Sequence, residues 1–475
     1  MKNKLNLGLI ALALVALSSC SKTEVSAPQF KAGTTITTTT LSGNVKGTML
    51  SGQTYYFSAP VVINAGDTLV MQSGVKLLAT NPAAELIVKG VFISLGTKQS
   101  PNWITGQAAD TNPGAFKLTT LQDPNTDPGL MATGKLWGGI QCESTCSLVD
   151  IKWTHMDFAG GTADPVLNAN QGYKSGDLLF NIKFQNPNGI LILEDSWVYG
   201  SSSDAVRANG GKVHIMRNTV EKLSYNDGDC FNVKNSSTGD MAFNLIIGTA
   251  KGGTKSSNKG TYGSTQTNIN MYNNTYVTGG WRSVDPDRGA NANIEQGAKG
   301  KVYNNIMVNC KTGFRILENP AADFANCFYG NNLEYGDILA SVNDIYPVTH
   351  ATIPQTTDIP NPTSFYPGFT GVTATNTFTL GEVYDGTSLI GKNNPQFVNF
   401  PLPVANIASL TLYNFQGNYD FHLASNSPAI GKGNTSFTPV NATASLTNSL
   451  LKATVTPPNA DLGAFPRNGI GNQHN

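Results

Sequence analysis

Along most of this chain, apolar residues come in short runs broken by a single polar step. Val149-Asp150-Ile151-Lys152-Trp153 alternates with period two, the mark of a strand with one buried face. Related layouts return in Leu193-Glu194-Asp195-Ser196-Trp197-Val198, Ile215-Met216-Arg217-Asn218-Thr219-Val220 and Ala242-Phe243-Asn244-Leu245-Ile246-Ile247. Two more follow, Met271-Tyr272-Asn273-Asn274-Thr275-Tyr276 and Val302-Tyr303-Asn304-Asn305-Ile306-Met307. Aligning Ser196, Asn218, Leu245, Asn274 and Asn305 gives steps of 22, 27, 29 and 31 residues. A period in the twenties made of strands without helices predicts a β-solenoid, with coils stacked about 4.8 Å apart. Roughly nine to twelve coils use the length. A leucine-rich repeat needs a Leu-x-x-Leu-x-Leu consensus, which is missing, and a propeller needs units of about 40 residues.

Asn recurs at 218, 244, 273, 274, 304 and 305. Asn tolerates left-handed backbone and bonds its own turn. Stacked on successive coils, such side chains bond one another along the axis, so these positions read as architecture.

Composition agrees. Of 475 residues only 13% are charged and 49 are Gly, which disfavours helices and favours turns and short strands. Basic and acidic side chains balance at 31 each. No basic run follows the first residues, so nucleic acid is excluded as an expected partner.

The first residues carry a separate signal. Lys2 and Lys4 precede an apolar run, Leu5 to Leu17, too short to span a bilayer. It ends in Leu17-Ser18-Ser19-Cys20, which resembles a bacterial lipobox. The expectation is a signal peptide over 1–19, lipidation at Cys20 and a Thr- and Ser-rich tether over 20–45. The resemblance implies a membrane partner through the lipid, at the outer membrane, on its periplasmic or extracellular face. Export to an oxidising compartment permits disulfides. Cys142 with Cys146 and Cys310 with Cys327 are the expected pairs, leaving Cys230 free; a zinc site has too few close ligands.

The coil pattern resembles the right-handed parallel β-helix superfamily that includes pectate lyases, and more closely surface β-helix lipoproteins of Bacteroidetes. The residues that carry this are Leu136-Trp137-Gly138-Gly139-Ile140, Trp153 to Gly161, Asp227-Gly228-Asp229-Cys230-Phe231 and Gly297 to Asn305. Ser427-Pro428-Ala429-Ile430 and Asp461-Leu462-Gly463-Ala464-Phe465 resemble a terminal coil. The resemblance implies an all-β, single-domain right-handed parallel β-helix over 46–466. A Pro-rich excursion is expected near 332–396 and a tail over 467–475.

Candidate chemistry comes from a second repeat. Asp204-Ala205-Val206-Arg207 and Asp229-Cys230-Phe231-Asn232 share a coil position, and Thr312-Gly313-Phe314-Arg315 fits it later. Asp204 and Asp229 then stack at strand starts. Asp227 lies two residues before Asp229, Asp285 and Asp287 sit in a loop entering the next well-aligned coils, and Arg207, Lys255, Arg315 and Glu318 edge the same side. Stacked carboxylates repel, which raises one pKa or recruits a cation such as Ca²⁺. Trp137, Trp153, Trp197, Trp281 and the Tyr cluster at 272, 276 and 303 suggest a sugar-stacking face. No Gly-His-Gly segment, adjacent Asp pair, Arg-x-Pro-x-x-Arg, Gly-x-Ser-x-Gly or Walker loop occurs. The expected role is therefore glycan or partner binding at a surface. Alternatives are a polysaccharide lyase or hydrolase acting on acidic polysaccharide, and a structural stalk.

Overall fold

The computed structural model describes residues 33–111, 135–224, 228–258, 265–283, 288–316, 322–345, 387, 390–403, 419–441 and 453–474. The signal peptide, Cys20, Asp227, Asp285, Asp287 and Glu318 lie outside the described residues. No helix among the described residues is long and apolar enough to cross a membrane.

The chain winds as a parallel β-helix whose 27 described strands join in one sheet with no closed barrel. Three ladders run its length. Ladder A is built from Gly47–Met49, Thr68–Met71, Val91–Leu95, Leu148–Lys152, Ile190–Glu194, 212–216, 238–242, Asn268–Tyr272, Gly300–Tyr303 and Cys327–Gly330. Those are ten rungs, inside the expected range. Ladder B starts with residues 40–41 and ends with Leu333–Tyr335. Ladder C starts with 43–44 and ends with Thr312–Ile316. Every neighbour in all three is parallel, because each strand meets its equivalent one full turn later.

Alternation decides the core. On ladder A, Val149, Leu191 and Val213 point inward in register, as do Ile151, Leu193 and Ile215. All six are fully buried in one core cluster that runs the length of the helix. The helix Leu339–Ile345 follows the last rung and places Val342 in the same core.

The corner between ladders A and B is tight and repeats. Its first residue is left-handed in coil after coil: Asp195, Arg217, Phe243, Asn273, Asn304 and Asn331, with φ between 48° and 63°. Only some are Asn, so stacking enforces the conformation where the residue type does not favour it. The next residue points inward. There Asn218 Nδ2 donates to Asn244 Oδ1 (3.0 Å), Asn244 to Asn274 (3.0 Å), Asn274 to Asn305 (3.1 Å) and Asn305 to Asn332 (3.0 Å). Each amide also donates to a backbone carbonyl, and each Oδ1 accepts a backbone N–H. The sequence alignment placed Leu245 in this series. The ladder member is Asn244, and the true steps from Ser196 to Asn332 are 22, 26, 30, 31 and 27.

Several boundaries differ from expectation. Thr40–Asn44 already pairs in the sheet, so the stack begins inside the region expected as tether. Leu333–Tyr335 is still a rung, so the excursion starts after it. The largest difference is at the C-terminal end. Residues after 390 add no coil among those described. Phe397–Asn399 and Asp420–Leu423 pair antiparallel, and the segment lies back along the outside of the helix. The cause is ladder B, whose outward residues Leu245, Ile247, Val277, Ile306, Val308 and Leu333 are apolar. Phe397, Phe421, Ala429, Leu462, Ala464 and Phe465 cover them. Both segments expected to form a terminal coil are part of this cover. A sheet apolar on both faces has to be covered on both.

The corner residues hold the cover down. Asn273 Nδ2 donates to Asp461 O (2.7 Å) and Asn304 Nδ2 to Asn434 O (2.8 Å). Arg217 bonds Asp195 and also reaches Thr454 O and Thr456 Oγ1. On ladder A, Asp240 accepts N–H bonds from Val440 (2.9 Å) and Asn441 (3.1 Å).

The expected disulfides are not present. Cys142, Cys146, Cys230, Cys310 and Cys327 are all buried free thiols. Cys310 donates to Val308 O and Cys327 to Ala298 O, so each engages its own backbone surroundings. Burial pushes the Cys310 and Cys327 thiols up to about 12.

Candidate functional site on ladder C

Ladders A and B are largely closed to ligands by the tight corner and the C-terminal cover. Ladder C differs. The longer connections, such as 158–181, enter its edge from ladder B. In a repeat fold, insertions of this kind mark the working face.

Its outward side chains form two columns. The first runs Gln141, Lys183, Arg207, Asn232, Lys255, Asn293 and Arg315. The second runs Asn209, Lys234, Ser257 and Glu295. The register Val206↔Phe231 and Arg207↔Asn232 is the equivalence read from the sequence, and Asn293↔Arg315 puts Arg315 in the same column. Asp204 and Asp229 do stack, just before their strands: Asp229 N–H donates to Asp204 Oδ1 at 3.0 Å.

The charges are interlocked. Arg207 grips Asp204 Oδ2 through Nε (2.7 Å) and Nη2 (2.6 Å). Its guanidinium also lies 4.3 Å from the Phe180 ring centroid. Asn232 Nδ2 donates to Asp229 Oδ2 (2.9 Å). Lys255 Nζ meets Glu295 Oε1 (2.8 Å), Asn293 Nδ2 meets Glu295 Oε2 (3.0 Å), and Arg315 Nε donates to Asn293 Oδ1 (3.2 Å). Burial raises the Asp204 carboxyl even against Arg207. Burial pushes Asp229 the same way, but Lys255, Lys251, Arg207 and Lys234 outweigh it and hold Asp229 low.

Lys234 stands apart. Its ammonium makes no hydrogen bond or ion pair with the described residues. Partial burial, with Arg207 and Lys255 on either side, lowers it to about 8. Lys183, lower in the first column, is lowered to about 8 by burial and Arg207. It sits 3.9 Å over the Tyr173 ring and donates to Gln171 O. Asn232 Oδ1 and Ser257 Oγ, buried beside Lys234, accept nothing from the described residues. Sequence reasoning missed Lys183, Lys234, Asn293 and Glu295. Counting outward from Arg207 and Asn232 by the coil step and by two would have found them.

Two expectations change here. The Asp204–Asp229 pair does not fit Ca²⁺. The guanidinium of Arg207 occupies Asp204 Oδ2, and Oδ1 takes a backbone N–H. Among the described residues no three His, Cys, Asp or Glu side chains converge as metal ligands. The aromatic residues form no flat platform. Trp137, Tyr272 and Tyr276 are fully buried, and Trp281 is half-buried with Nε1 on Asn309 O. Trp197 stacks on His155 (4.2 Å) and His474 (3.7 Å), with Trp103 beyond His155 (3.7 Å). Both Trp197 faces are therefore taken. His155 is held between Trp103 and Trp197, and burial lowers it to about 3.

Fold and face together define a parallel β-helix protein with one amphoteric outer ladder. Comparison with protein-family models, with curated proteins and with solved structures finds no match.

Proposed function

We propose that the ladder C face binds an extended acidic glycan, on a protein anchored to the outer membrane through Cys20. The observation that carries this is the column pattern. Lys183, Arg207, Lys234, Lys255 and Arg315 line one face with Asn and Ser between them. A rung spacing of about 4.8 Å is close to the length of one sugar unit, so a polymer running along the axis meets one rung after another. The amides suit hydroxyls and the cations suit carboxylates.

Lys234→Ala is the clean test, because its removal strands no buried partner. Titration with polygalacturonate should show binding that weakens with salt and falls roughly tenfold in the variant, a change of about 1.4 kcal/mol. Neutral dextran is the control. Unchanged affinity in Lys234→Ala would sink the assignment of this face. Equal binding with EDTA present would argue against a Ca²⁺ requirement.

Lys234 also supports a second reading, β-elimination. Its amine is close to half neutral near pH 8 and can take the proton α to a uronate carboxylate. The C–O bond at the neighbouring carbon then breaks as a C=C bond forms, and solvent protonates the leaving oxygen. An ultraviolet-absorbing unsaturated product, lost in Lys234→Ala, distinguishes lyase from binder. For the anchor, Cys20→Ala should move the protein from the membrane fraction to the soluble one. Retention in membranes after a salt wash counts against lipidation.

A further inference from the structure

The two outward columns of ladder C are closed at their lower end. The connection 158–181 folds back on itself there. Thr162 and Leu178 bridge antiparallel, Leu179 N–H donates to Gly161 O (2.9 Å) and Ala163 N–H to Asp177 O (2.9 Å). Asn168, fully buried, donates through Nδ2 to both oxygens of Glu85 (3.1 and 3.0 Å). Ala163, Tyr173, Leu179 and Phe180 pack as a small core of their own. The connection is therefore a built wall, fixed at its base and again at Asn168.

The wall lies across both columns. In the first, Gln141 Nε2 donates to Phe180 O (2.8 Å) and its Oε1 accepts the Tyr173 hydroxyl (2.9 Å). One rung up, Lys183 sits under the Tyr173 ring and donates to Gln171 O. In the second, Gln185 follows the Phe184↔Ala208 pair and is the counterpart of Asn209; its Nε2 donates to Asn170 O (2.6 Å). Gln141 and Lys183 are buried, whereas Asn170 and Gly172 over them are exposed. The next rung is different. Arg207 and Asn209 are part-exposed, as are Lys234 and Lys255 beyond them. Phe180, also part-exposed, stands 4.3 Å from the Arg207 guanidinium and marks the inner side of the wall. Cations are thus within reach on three rungs, 206–209, 231–234 and 254–257. The outer two are roughly 10 Å apart, room for about three sugar units. A chain laid along the axis runs into the turn Ala169–Gln171 at one side. An interior stretch would have to bend off the face there and lose its contacts, whereas a chain end fits against Phe180. We infer that ladder C binds the end of an acidic glycan chain, about three residues deep, and not its interior. This rests on the assignment of that face to an acidic glycan.

Galacturonate oligomers of increasing length, together with medium and long polygalacturonate fragments, provide the test. Calorimetric titration of the full chain should show affinity rising up to about three residues and then staying within about twofold, counted per mole of chains. Light scattering of saturated complexes should find the same number of proteins per chain on medium and long fragments, because lengthening a chain adds no ends. Tyr173→Ala removes the ring over Lys183 and the hydroxyl that holds Gln141 and accepts the Phe180 N–H. With the wall loosened, the number bound per long chain should rise while affinity for the trimer stays within about twofold. A count unchanged in Tyr173→Ala, with hydrogen exchange showing residues 169–180 opened, overturns the wall as the cause. If Tyr173→Ala fails to fold, the wild-type counts still decide. A count that grows with chain length in the wild type overturns the inference and leaves the glycan reading standing. No binding at any length removes both.

Discussion

Asn274→Ala is expected to cost about 3–5 kcal/mol of folding stability, measured by urea unfolding, the upper range for a single substitution. Asn274 sits mid-ladder and fully buried. Its Oδ1 accepts the Asn244 backbone N–H (3.0 Å) and the Asn244 amide (3.0 Å). Its Nδ2 donates to Met241 O (2.9 Å) and Asn305 Oδ1 (3.1 Å). Truncation strands donors and acceptors on the coils above and below, where no water reaches, at about 1–3 kcal/mol each. The neighbour provides the contrast. Asn273 faces outward and binds the C-terminal segment through Asp461 O and the Asn459 N–H. Asn273→Ala should cost only about 1–2 kcal/mol and show itself as loosening of the cover, read by hydrogen exchange around residues 459–464. Similar costs for the two variants would mean that the internal ladder has no special weight.

The second large effect runs the other way. Asp150→Val is expected to stabilise the protein by about 2–4 kcal/mol at pH 8, with little gain at pH 4. Asp150 is fully buried, and neither carboxylate oxygen has a hydrogen-bond partner. Its register neighbours are Ile93 and Ile192. Burial raises it from 3.8 to about 7, with Lys152 opposing and Glu194 adding to the rise. A carboxyl raised on folding contributes its full stability below pH 3.8. That stability is lost as pH rises through about 7, because the folded state must then ionise a buried acid. Valine removes the penalty and suits the strand. Plotted against pH, wild-type stability should fall relative to the variant between about pH 4 and pH 7. Parallel curves would show that Asp150 keeps its ordinary pKa.

Much of this fold was legible before any coordinates. Alternation in residues 149–153 and the coil-length recurrence of Asn were enough for a solenoid, since a stacked coil repeats its core positions whatever fills them. The equivalence of Asp204–Arg207 with Asp229–Asn232 also survived, for the same reason. The errors share a cause as well. Placing Leu245 for Asn244 was a slip of one residue, and in a strand one residue is the difference between inside and outside. The inserted connections vary the step from 22 to 31, so no fixed period could correct it.

The site was less legible. Arg207 and Arg315 stood out because they lie in recognisable repeats, whereas Lys234 and Glu295 became neighbours only through the second outward column. Pairing between Asp204 and Arg207 was invisible in a string where both were merely nearby. That pairing converts a presumed cation site into a closed ion pair.

Local alternation and the recurring polar step thus determined that this chain forms stacked parallel coils, because those depend only on side chains at short range. The return of the C-terminal segment, the free state of five thiols and the faces left open were decided by long-range packing. Ladder B is apolar outside as well as inside, and only a distant stretch of the same chain was available to cover it. With ladder B covered and the A–B corner sealed, ladder C remained the outward face that carries the cationic columns, with Arg207, Asn209, Lys234 and Lys255 part-exposed among buried polar neighbours.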